Sequence, residues 1–217
     1  MLLAMGNFSQ AIDQYDKAIA VNPNYYFTYN NIAYDLTLYT NNYSQALDLV
    51  NKALAISPND INSIDTKALV LNQLGRYQEA ILWYDKVLEK EPNYIVSVNN
   101  KGVALANLGH YQQALNWYDH ALKQIPGDLD MIANKARIIG LELDKYTDAL
   151  KLLNQYLKKN PDHKGILCNK AEILEKMGYT DVASPIKEKL QKLYSNNYKC
   201  GYFKKTGYGN IAGEPFV

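Results

Sequence analysis

The chain has 217 residues, of which 47% are hydrophobic and 21% are charged, and its formal net charge is +1. This composition is typical of a soluble globular protein with a sizeable core and gives no sign of disorder. Because the net charge is close to zero, no strong field of one sign attracts nucleic acid or an anionic membrane surface.

Cysteine and histidine are scarce, which bears on metal binding and on the redox environment. The two cysteines are Cys168 and Cys200, and the three histidines do not stand at spacings that complete a zinc site with them. We therefore predict no metal, no cofactor and a reducing compartment. The apolar start from Met1 to Met5 lacks a basic leader, and no apolar run is long enough to span a bilayer. The sequence predicts a cytoplasmic protein without a membrane segment.

The first residues carry only half of a pattern that becomes complete further along the chain. Pro58–Pro92 and Pro92–Pro126 align without gaps, and Trp83-Tyr84-Asp85 in the first stretch matches Trp117-Tyr118-Asp119 in the second. The offset is 34 residues. Self-similarity at such a period indicates a protein built by repeating one supersecondary unit.

A proline ends each repeat unit, and these closing prolines show that the repeat extends in both directions. They stand at Pro23, Pro58, Pro92, Pro126 and Pro161, which gives units of 34 or 35 residues. The predicted segments are a truncated first repeat at 1–23, repeats at 24–58, 59–92, 93–126 and 127–161, a degenerate closing repeat at 162–194, and a tail at 195–217. Because the first unit has mainly its second half, we expect either more chain upstream or docking of this end on another molecule.

Each full unit predicts two helices. The residue after each closing proline is able to cap the helix that follows: Asn24, Asn59, Asn93, Gly127 or Asp162. First helices are expected near 25–39, 60–74, 94–108, 128–142 and 163–177. Second helices are expected near 8–20, 43–56, 77–90, 111–124, 146–159 and 181–194, with Pro185 in the first turn of the last one.

The turn between the two helices differs with the length of the unit. The 34-residue units have Gly75 or Gly109 just past the first helix, where a left-handed backbone conformation costs glycine little. The longer units have Thr40-Asn41-Asn42 or Leu143-Asp144-Lys145 there, with one extra residue. Asn and Asp tolerate the left-handed conformation better than most residues, so both kinds of unit predict a tight turn.

Small and aromatic residues recur in step with the repeat and predict its core. Small residues stand where the two helices of a pair cross: Ala33, Ala68, Gly102, Ala136 and Ala171 on first helices, and Ala46, Ala80, Ala114, Ala149 and Ala183 on second helices. Aromatic residues open the second helices and recur seven residues later, as in Tyr77 and Tyr84. We assign these tyrosines to the core rather than to a cofactor or nucleobase site.

These features resemble the tetratricopeptide repeat (TPR) family over about residues 1 to 194. The resemblance rests on Leu74-Gly75 at the end of a first helix, Tyr77 two residues after the glycine, Ala80, Tyr84 and the closing Pro92, and on their recurrence in register. It implies an all-α fold, in which antiparallel helix pairs form a right-handed α-α superhelix or solenoid. It also implies a scaffold that binds other proteins and is not an enzyme.

The resemblance also suggests where a partner binds. In TPR arrays the sixth residue of each unit points into a concave groove lined by first helices. Carried over, these positions, which we call the ladder residues, are Asn31, Thr66, Asn100, Asn134 and Asn169. An asparagine side chain has a donor and an acceptor and is able to bind the main chain of an extended peptide. The alternative is that asparagine recurs because the repeats descend from one another in an Asn-rich chain.

Other inward positions suggest the chemistry of the partner. They are Phe27, Tyr34, Leu69, Val103 and Arg137, which change from apolar to charged along the groove. We therefore predict an extended segment of another protein, with apolar residues at one end and mixed polarity at the other. The TPR type that holds acidic chaperone tails uses inward lysines and an arginine. Here those places hold Asn30, Tyr34, Asp130 and Asn134, which argues against such a tail.

Alternatives to a simple scaffold follow from the rest of the chain. Lys67, Lys101, Lys135 and Lys170 form a basic stripe, but we expect them to meet acidic residues such as Asp85 and Asp119 rather than RNA.

No catalytic motif is found, so catalysis would require a larger enzyme for which this chain recruits substrates. Self-assembly through the truncated first repeat is a further alternative. The tail is expected to be flexible, or else to fold back onto the last repeat or bind a partner.

Overall fold

The computed structural model describes residues 8–194 and residue 200. In this part of the chain the regular structure is entirely helical. The helices are α1 (Phe8–Val21), α2 (Tyr26–Tyr39), α3 (Tyr43–Ile56), α4 (Ile61–Gln73), α5 (Tyr77–Lys90), α6 (Ile95–Asn107), α7 (Tyr111–Gln124), α8 (Leu129–Arg137), α9 (Tyr146–Leu157), α10 (Lys164–Lys176) and α11 (Thr180–Tyr194), and a π-helical turn, Ile138–Glu142, continues α8. The predicted all-α fold and its alternation of first and second helices are confirmed.

The chain divides into two compact units, Met1–Ala104 and Leu105–Val217, with the boundary inside α6. In the first unit α2 packs on α3 and α4 packs on α5, and in the second α8 packs on α9 and α10 on α11. These are the helix pairs that the repeat predicts.

The core of the first unit is built from the small residues and tyrosines that recur in the sequence. Ala33 and Ala46 are fully buried at the crossing of α2 and α3, with Ile32, Leu36, Val50 and Val70 around them. Ala68 and Ala80 occupy the same positions in the next pair, where they pack with Tyr84. A small side chain at each crossing lets the two helix axes approach closely, while a neighbouring large side chain fills the remaining space.

The second unit repeats this arrangement. Ala136 and Ala149 are fully buried at the crossing of α8 and α9, and Ala171 and Ala183 are buried at the crossing of α10 and α11. Tyr118 is fully buried like Tyr84, which stands 34 residues before it. The assignment to the core is confirmed for Tyr84 and Tyr118, whereas Tyr77 and Tyr111, which open second helices, are half-buried.

The turns within the pairs have the predicted backbone. Gly75 and Gly109 have φ of 76° and 80°, and Asn41 and Asp144 have φ of 58° and 55°. All four lie in the left-handed region, which glycine reaches without strain and which Asn and Asp tolerate better than other residues.

The predicted capping residues are wrong by one position. The caps are Asp60 for α4, Asp128 for α8 and His163 for α10, and each accepts a hydrogen bond from the backbone N–H three residues later. Tyr25 precedes α2 without a side-chain cap. The residues that we expected to be caps lie in the tight turn before the helix. Each capping residue therefore stands one position further from the closing proline than we predicted.

The extra residue of the 127–161 repeat lies in the π-helical turn. There the N–H of Leu143 donates to the carbonyl of Ile138, five residues earlier, at 3.1 Å. In the other 35-residue unit the extra residue lengthens a helix as well, because α2 has 14 residues where α4 has 13, and the turn after each of them has three residues. A π turn of this kind inserts one residue into a helix without ending it.

Two further expectations are corrected near the end of the second unit. Pro185 lies inside α11, not in its first turn, because the helix begins at Thr180. Cys168 and Cys200 form a disulfide, with their Cα atoms 5.2 Å apart, whereas we predicted a reducing compartment. Nothing in a separation of 32 residues signals this bond, because only the packing of α10 and α11 brings the two residues together.

Candidate functional site

Four of the five ladder residues are buried. Asn100 is 1% exposed, and Thr66, Asn134 and Asn169 are also below 6%. A ligand reaches their side chains only after neighbouring groups move. Whether the ladder binds a peptide stays a prediction, and the structure supplies a different role for these amides.

That role is to bond one repeat to the next. The Nδ2 of Asn169 on α10 donates to the carbonyl of Ala133 on α8 at 2.7 Å. The Asn134 amide is hydrogen-bonded to the hydroxyl of Tyr118, and this bond opposes the strong rise that burial imposes on the pKa of that phenol. A mid-helix asparagine, which is a mediocre helix former, is thus explained by contacts inside the protein.

The equivalent pair in the first unit has the same two residue types but a poorer bond. Asn100 lies beside Tyr84 and lowers the pKa of its phenol, while burial and the carboxylate of Asp65 raise it well above the usual value. Yet the Tyr84 hydroxyl and the Asn100 Nδ2 are buried without a hydrogen bond of normal geometry. The two side chains are therefore close in space but imperfectly bonded.

Asn31 is the accessible member of the ladder, and it has aromatic neighbours on α2. Phe27 is 41% exposed, and the half-buried Asn31 and Tyr34 follow it at four and seven residues, on one side of the helix. Tyr25 is 49% exposed, and its ring centroid lies 5.9 Å from that of Phe27. This group, Tyr25, Phe27, Asn31 and Tyr34, is called the α2 surface below.

Leu69 and Val103 do not line an open surface. Both are fully buried. Two apolar positions predicted for the groove are therefore part of the core. Among the predicted residues of the first unit, those of the α2 surface are the ones that an apolar ligand could contact.

Arg137 opens onto a cavity in the second unit. The cavity has a volume of about 390 Å³ and is lined by Arg137, Leu141, Glu142, Glu172, Glu175 and Lys176. Nη1 of Arg137 donates to Oε2 of Glu172 at 2.6 Å, which ties α8 to α10. A Glu142 carboxylate oxygen accepts a hydrogen bond from the Tyr111 hydroxyl at 3.1 Å. This site is called the glutamate cavity below.

The sequence analysis missed most of the lining of the glutamate cavity. Leu141 and Glu142 belong to the π turn, so the inserted residue decides which side chains reach the cavity. Lys176 lies four residues after Glu172 on α10, so helical spacing places both on one side of that helix. No repeat position predicts a π turn.

Two aspartates have raised pKa values. Burial raises the pKa of Asp65 to about 6, while a hydrogen bond from the Ser97 hydroxyl opposes the rise. Burial and the neighbouring Asp128 raise the pKa of Asp130 to about 6. Nε2 of His163 lies 3.5 Å from Asp130, and burial lowers the pKa of this histidine. Neither aspartate lies within a group of residues that suggests catalysis.

The lysine stripe has the predicted acidic partners at two positions. Lys101 pairs with Asp85 at 2.5 Å, and Lys135 pairs with Asp119. Lys67 instead lies over the ring of Trp83, 4.1 Å from its centroid. Because these three charges are already engaged, the stripe is a poor surface for phosphate groups.

Among residues 8–194 and 200, no three or more His, Cys, Asp or Glu side chains are grouped to hold a metal ion. None of the helices in the described part has the length and apolar character needed to cross a membrane.

The geometry defines the class of the protein before any comparison. Antiparallel helix pairs recur at 34 or 35 residues, with small residues at their crossings. First helices contact one another within each compact unit, α2 with α4 and α8 with α10. These features define an all-α helical repeat protein. A family model described as tetratricopeptide repeat matches residues 2–61, and one described as anaphase-promoting complex, cyclosome, subunit 3 matches residues 39–121. The chain belongs to the tetratricopeptide repeat family.

Solved structures agree with this fold. PilW, a widely conserved type IV pilus biogenesis factor, is 20% identical with a TM-score of 0.71, and the match covers 90% of each chain. A TPR protein from Parabacteroides merdae is 18% identical with a TM-score of 0.70, over 88% of this chain and 75% of that one. YrrB, described as a TPR protein with an unusual peptide-binding site, is 19% identical with a TM-score of 0.53, over 84% and 93%. At these identities the similarity shows the fold alone.

The comparisons do not indicate a catalytic family. The comparison with curated proteins gives no match. A TPR fold is that of a protein-binding scaffold, and this is the level of function that the family membership supports.

Proposed function

We propose that this chain is a scaffold that binds an extended segment of another protein along its first helices, with an apolar part of that segment on the α2 surface. The observation that carries the proposal is the exposure of Phe27 and Tyr25 beside the accessible Asn31. Large aromatic side chains at a surface are frequent anchors of protein interfaces. YrrB, a protein of the same fold, is described as having a peptide-binding site, which supports a peptide ligand here.

The α2 surface suits an extended peptide because it combines two kinds of contact. The Phe27 and Tyr25 rings offer apolar area to a side chain of the ligand, and Asn31 offers a donor and an acceptor to its main chain. One such amide contact is worth about 0.5 to 1.5 kcal/mol, whereas micromolar affinity needs about 8 kcal/mol. The aromatic contacts must therefore supply much of the affinity.

The buried ladder residues would contribute to binding indirectly. Asn134 and Asn169 bond one repeat to the next, and Thr66 and Asn100 are buried, so the proposal gives all four a structural role. With a structural role, Asn134→Ala and Asn169→Ala should reduce stability and leave the affinity of the folded protein nearly unchanged. A loss of affinity without a loss of stability would restore the ladder as a direct contact.

A random-peptide display library selected against the full chain tests the proposal without knowledge of the partner. Phe27→Ala should weaken the selected peptides by about tenfold or more, as expected for an aromatic anchor. Asn31→Ala should weaken them by about fivefold, the equivalent of one hydrogen bond. The matched control is Leu82→Ala, because Leu82 is a 62% exposed apolar residue on the second helix α5. Equal loss in the Leu82 and Phe27 variants would refute a site on α2.

Self-association and recruitment of substrates to a larger enzyme remain proposals. Self-association through the first repeat involves residues 1–7, which lie outside the described residues, and recruitment to a larger enzyme requires chain that is not in this sequence. Both are distinguished from simple scaffolding by mass measurements on the full chain over a range of concentrations and by the sequence upstream of Met1.

The disulfide bears on the predicted cytoplasmic location. Disulfides form and persist in oxidising compartments and are rare in the cytosol. The bond between Cys168 and Cys200 therefore favours an oxidising compartment over the reducing one that we predicted from the small number of cysteines. Alkylation of free thiols in intact source cells decides between them, because a cytoplasmic chain should be labelled at both cysteines and an oxidised chain at neither.

A further inference from the structure

We infer that the segment bound at the α2 surface carries an arginine, whose guanidinium stacks on Phe27 and donates to Asn30 and Asp60, an inference that rests on the proposed function. Three features of the first unit point to this side chain. They are a buried acceptor on α2 without a partner, a carboxylate at the start of α4, and an excess of acidic residues.

Asn30 supplies a hydrogen-bond acceptor that no described residue uses. It is 5% exposed, and its Oδ1 is buried without a hydrogen-bond partner. Asn30 follows Phe27 by three residues and precedes Tyr34 by four, so the three side chains lie on one side of α2. A buried oxygen without a partner costs free energy, which a donor from a ligand would recover.

The repeat register indicates the direction of the Asn30 side chain. Asp65 stands at the same repeat position on α4, and it accepts a hydrogen bond from Ser97, 32 residues later on the next first helix. The residue 32 positions after Asn30 is Asn62 on α4, but Oδ1 of Asn62 accepts from the Tyr94 hydroxyl at 3.2 Å. Asn30 therefore faces the seam between α2 and α4, which pack on each other.

Asp60 brings a carboxylate to the start of α4. Its Oδ2 accepts hydrogen bonds from the backbone N–H and the hydroxyl of Ser63, at 2.7 and 2.6 Å. Within the described residues no bond to Oδ1 is seen. Nζ of Lys90 donates to the carbonyl and to Oδ1 of Asn59, at 3.2 and 3.0 Å, rather than to the Asp60 carboxylate. One carboxylate oxygen of Asp60 is thus left for a ligand.

The same register places Asp60 next to Phe27. The residue at its position in a later repeat contacts the residue at the Phe27 position of the preceding first helix. Two such contacts are seen, Tyr94 with Asn62 and His163 with Asp130. The exposed Phe27 ring, the Asn30 oxygen and the Asp60 carboxylate therefore lie together along the seam.

The first unit also has the charge that attracts a cation. Residues 1–104 contain ten acidic and seven basic residues, whereas basic residues are in excess in the rest of the chain. Burial raises the pKa of Tyr94 to about 12, and the carboxylates of Asp65, Glu91 and Asp60 add to the rise. The field beside the seam is therefore negative and favours a positively charged side chain.

Arginine fits these groups better than lysine does. Its planar guanidinium has five N–H donors and stacks on aromatic rings, so it is able to lie on Phe27 and donate to two acceptors at once. A lysine ammonium has no flat face to stack. Tyr25, whose ring centroid lies 5.9 Å from that of Phe27, offers apolar area to a neighbouring side chain of the segment.

Peptides selected from a random display library against the full chain, and weakened by Phe27→Ala, are the probe. We expect them to contain an arginine, and its replacement by glutamine should weaken binding by about tenfold. Asp60→Asn removes the charge but keeps a good capping residue. This variant should bind the arginine peptide about threefold more weakly and the glutamine peptide unchanged. Asn30→Leu should weaken the arginine peptide by a similar factor, and Asp48→Asn, at an exposed aspartate of α3, is the matched control.

The outcomes separate this inference from the proposed function. Phe27-dependent peptides without arginine would overturn the inference and leave the function standing, as would an arginine peptide that binds Asp60→Asn as tightly as the wild type. A lysine that replaces the arginine without loss would also overturn it, because charge alone would then be recognised. Failure to select any Phe27-dependent peptide would instead contradict the proposed function.

Salt dependence gives a second readout on the wild-type chain, which does not require a variant to fold. Salt screens the attraction between exposed charges and has little effect on apolar contacts over this range. Raising the ionic strength from about 0.05 to about 0.5 M should weaken the arginine peptide about threefold more than its glutamine version. Equal losses for the two peptides would show that no carboxylate pairs with the arginine.

Discussion

Asp65 is an acidic side chain in the interior of the first unit, held by the hydroxyl of one serine. It is 5% exposed, Ser97 donates a hydrogen bond to it, and burial raises its pKa from 3.8 to about 6. The folded protein therefore binds a proton at this site more tightly than the unfolded chain does. Its contribution is favourable at low pH and is lost as the pH rises from about 4 through about 6.

The resulting prediction is that Asp65→Asn stabilises the protein above pH 6. A shift from 3.8 to about 6 corresponds to roughly 3 kcal/mol of unfolding free energy at pH 7 to 8, with little difference between variant and wild type at pH 4. Urea unfolding from pH 4 to pH 8 measures this difference. Asp48→Asn, at an exposed aspartate of the same unit, is the control. A difference between wild type and Asp65→Asn that does not change with pH would contradict the assignment.

Tyr84 and Tyr118 allow a matched comparison of two buried phenols. Both are fully buried, but the Tyr118 hydroxyl is bonded to Asn134 while the Tyr84 hydroxyl lacks a bond of normal geometry. Removing a bonded hydroxyl leaves its partner unsatisfied, whereas removing an unbonded one relieves a desolvation cost. Tyr118→Phe should therefore destabilise the protein by about 1 to 2 kcal/mol, and Tyr84→Phe should be neutral or stabilising. Urea unfolding of both variants checks this, and equal losses would show that the two phenols are equally bonded.

At the scale of residues, the sequence predicted positions better than partners. The burial of Tyr84 and Tyr118 and the pairing of Lys101 with Asp85 follow from repeat position, which sets where a side chain lies relative to its own helix pair. The burial of Asn100, Asn134 and Asn169 could not be predicted in this way. The burial of these asparagines depends on how closely the first helices of successive repeats pack, and residue spacing does not determine that packing.

Among the helices, α8 and its π turn are the element that departs most from the repeat. The turn includes Gly140, where an added Cβ would lie 2.6 Å from Cδ1 of Ile173 and 3.0 Å from Cβ of Ala149. Ile173 and Ala149 are both fully buried, so neither has free space to move into. The missing side chain thus permits close contact of the turn with α9 and α10.

Gly140→Ala should destabilise the protein, although alanine is the better helix former by about 1 kcal/mol. Overpacking of a well-packed core costs about 1 to 3 kcal/mol, which we expect to exceed the gain in helix propensity. Gly165→Ala in the first turn of α10 is the control, since its added Cβ would lie 3.4 Å from the nearest side-chain atom and should be tolerated. Thermal unfolding of the two variants compares them, and a stabilised Gly140→Ala would mean that the close contact relaxes easily.

The helices themselves were the easiest elements to predict. Closing prolines, turn glycines and aromatic periodicity placed each helix within about two residues of its observed bounds, because these signals act locally on the backbone. The capping residues were misplaced by one, since a tight turn after the proline shifts the start of the helix. The π turn was missed because an extra residue fits either into a turn or into a helix, and the choice depends on the neighbours of Gly140.

In the molecule as a whole, the covalent bond between Cys168 and Cys200 is the strongest constraint on the second unit. It closes a loop of about 33 residues, and the loss of chain entropy in the unfolded state stabilises the folded protein by about 3 to 4 kcal/mol. We therefore expect reductant to lower the unfolding free energy of the second unit by that amount, which is seen as a lower urea midpoint. The Cys168→Ser/Cys200→Ser variant should match the reduced wild type and should not respond to reductant. Identical midpoints of oxidised and reduced wild type would contradict the presence of the bond.

The architecture of the molecule was predictable, whereas the surfaces described here were only partly so. Repetition of one local unit determines an all-α fold, because each helix pair packs against neighbouring repeats of similar sequence. Phe27, Asn31 and Tyr34 of the α2 surface were predicted as inward positions, whereas Tyr25 was not. The glutamate cavity did not, because it is formed where the repeat is irregular, and the disulfide did not, because it joins residues that no local pattern relates.

The disulfide also determines how the second unit would bear mechanical force. A pull on the chain beyond residue 200 passes through the sulfur atoms directly into α10. The helix α11, Thr180–Tyr194, lies within the covalent loop and is therefore outside the path of that force. Reduction would place α11 in the path, as the first element to be peeled from the unit.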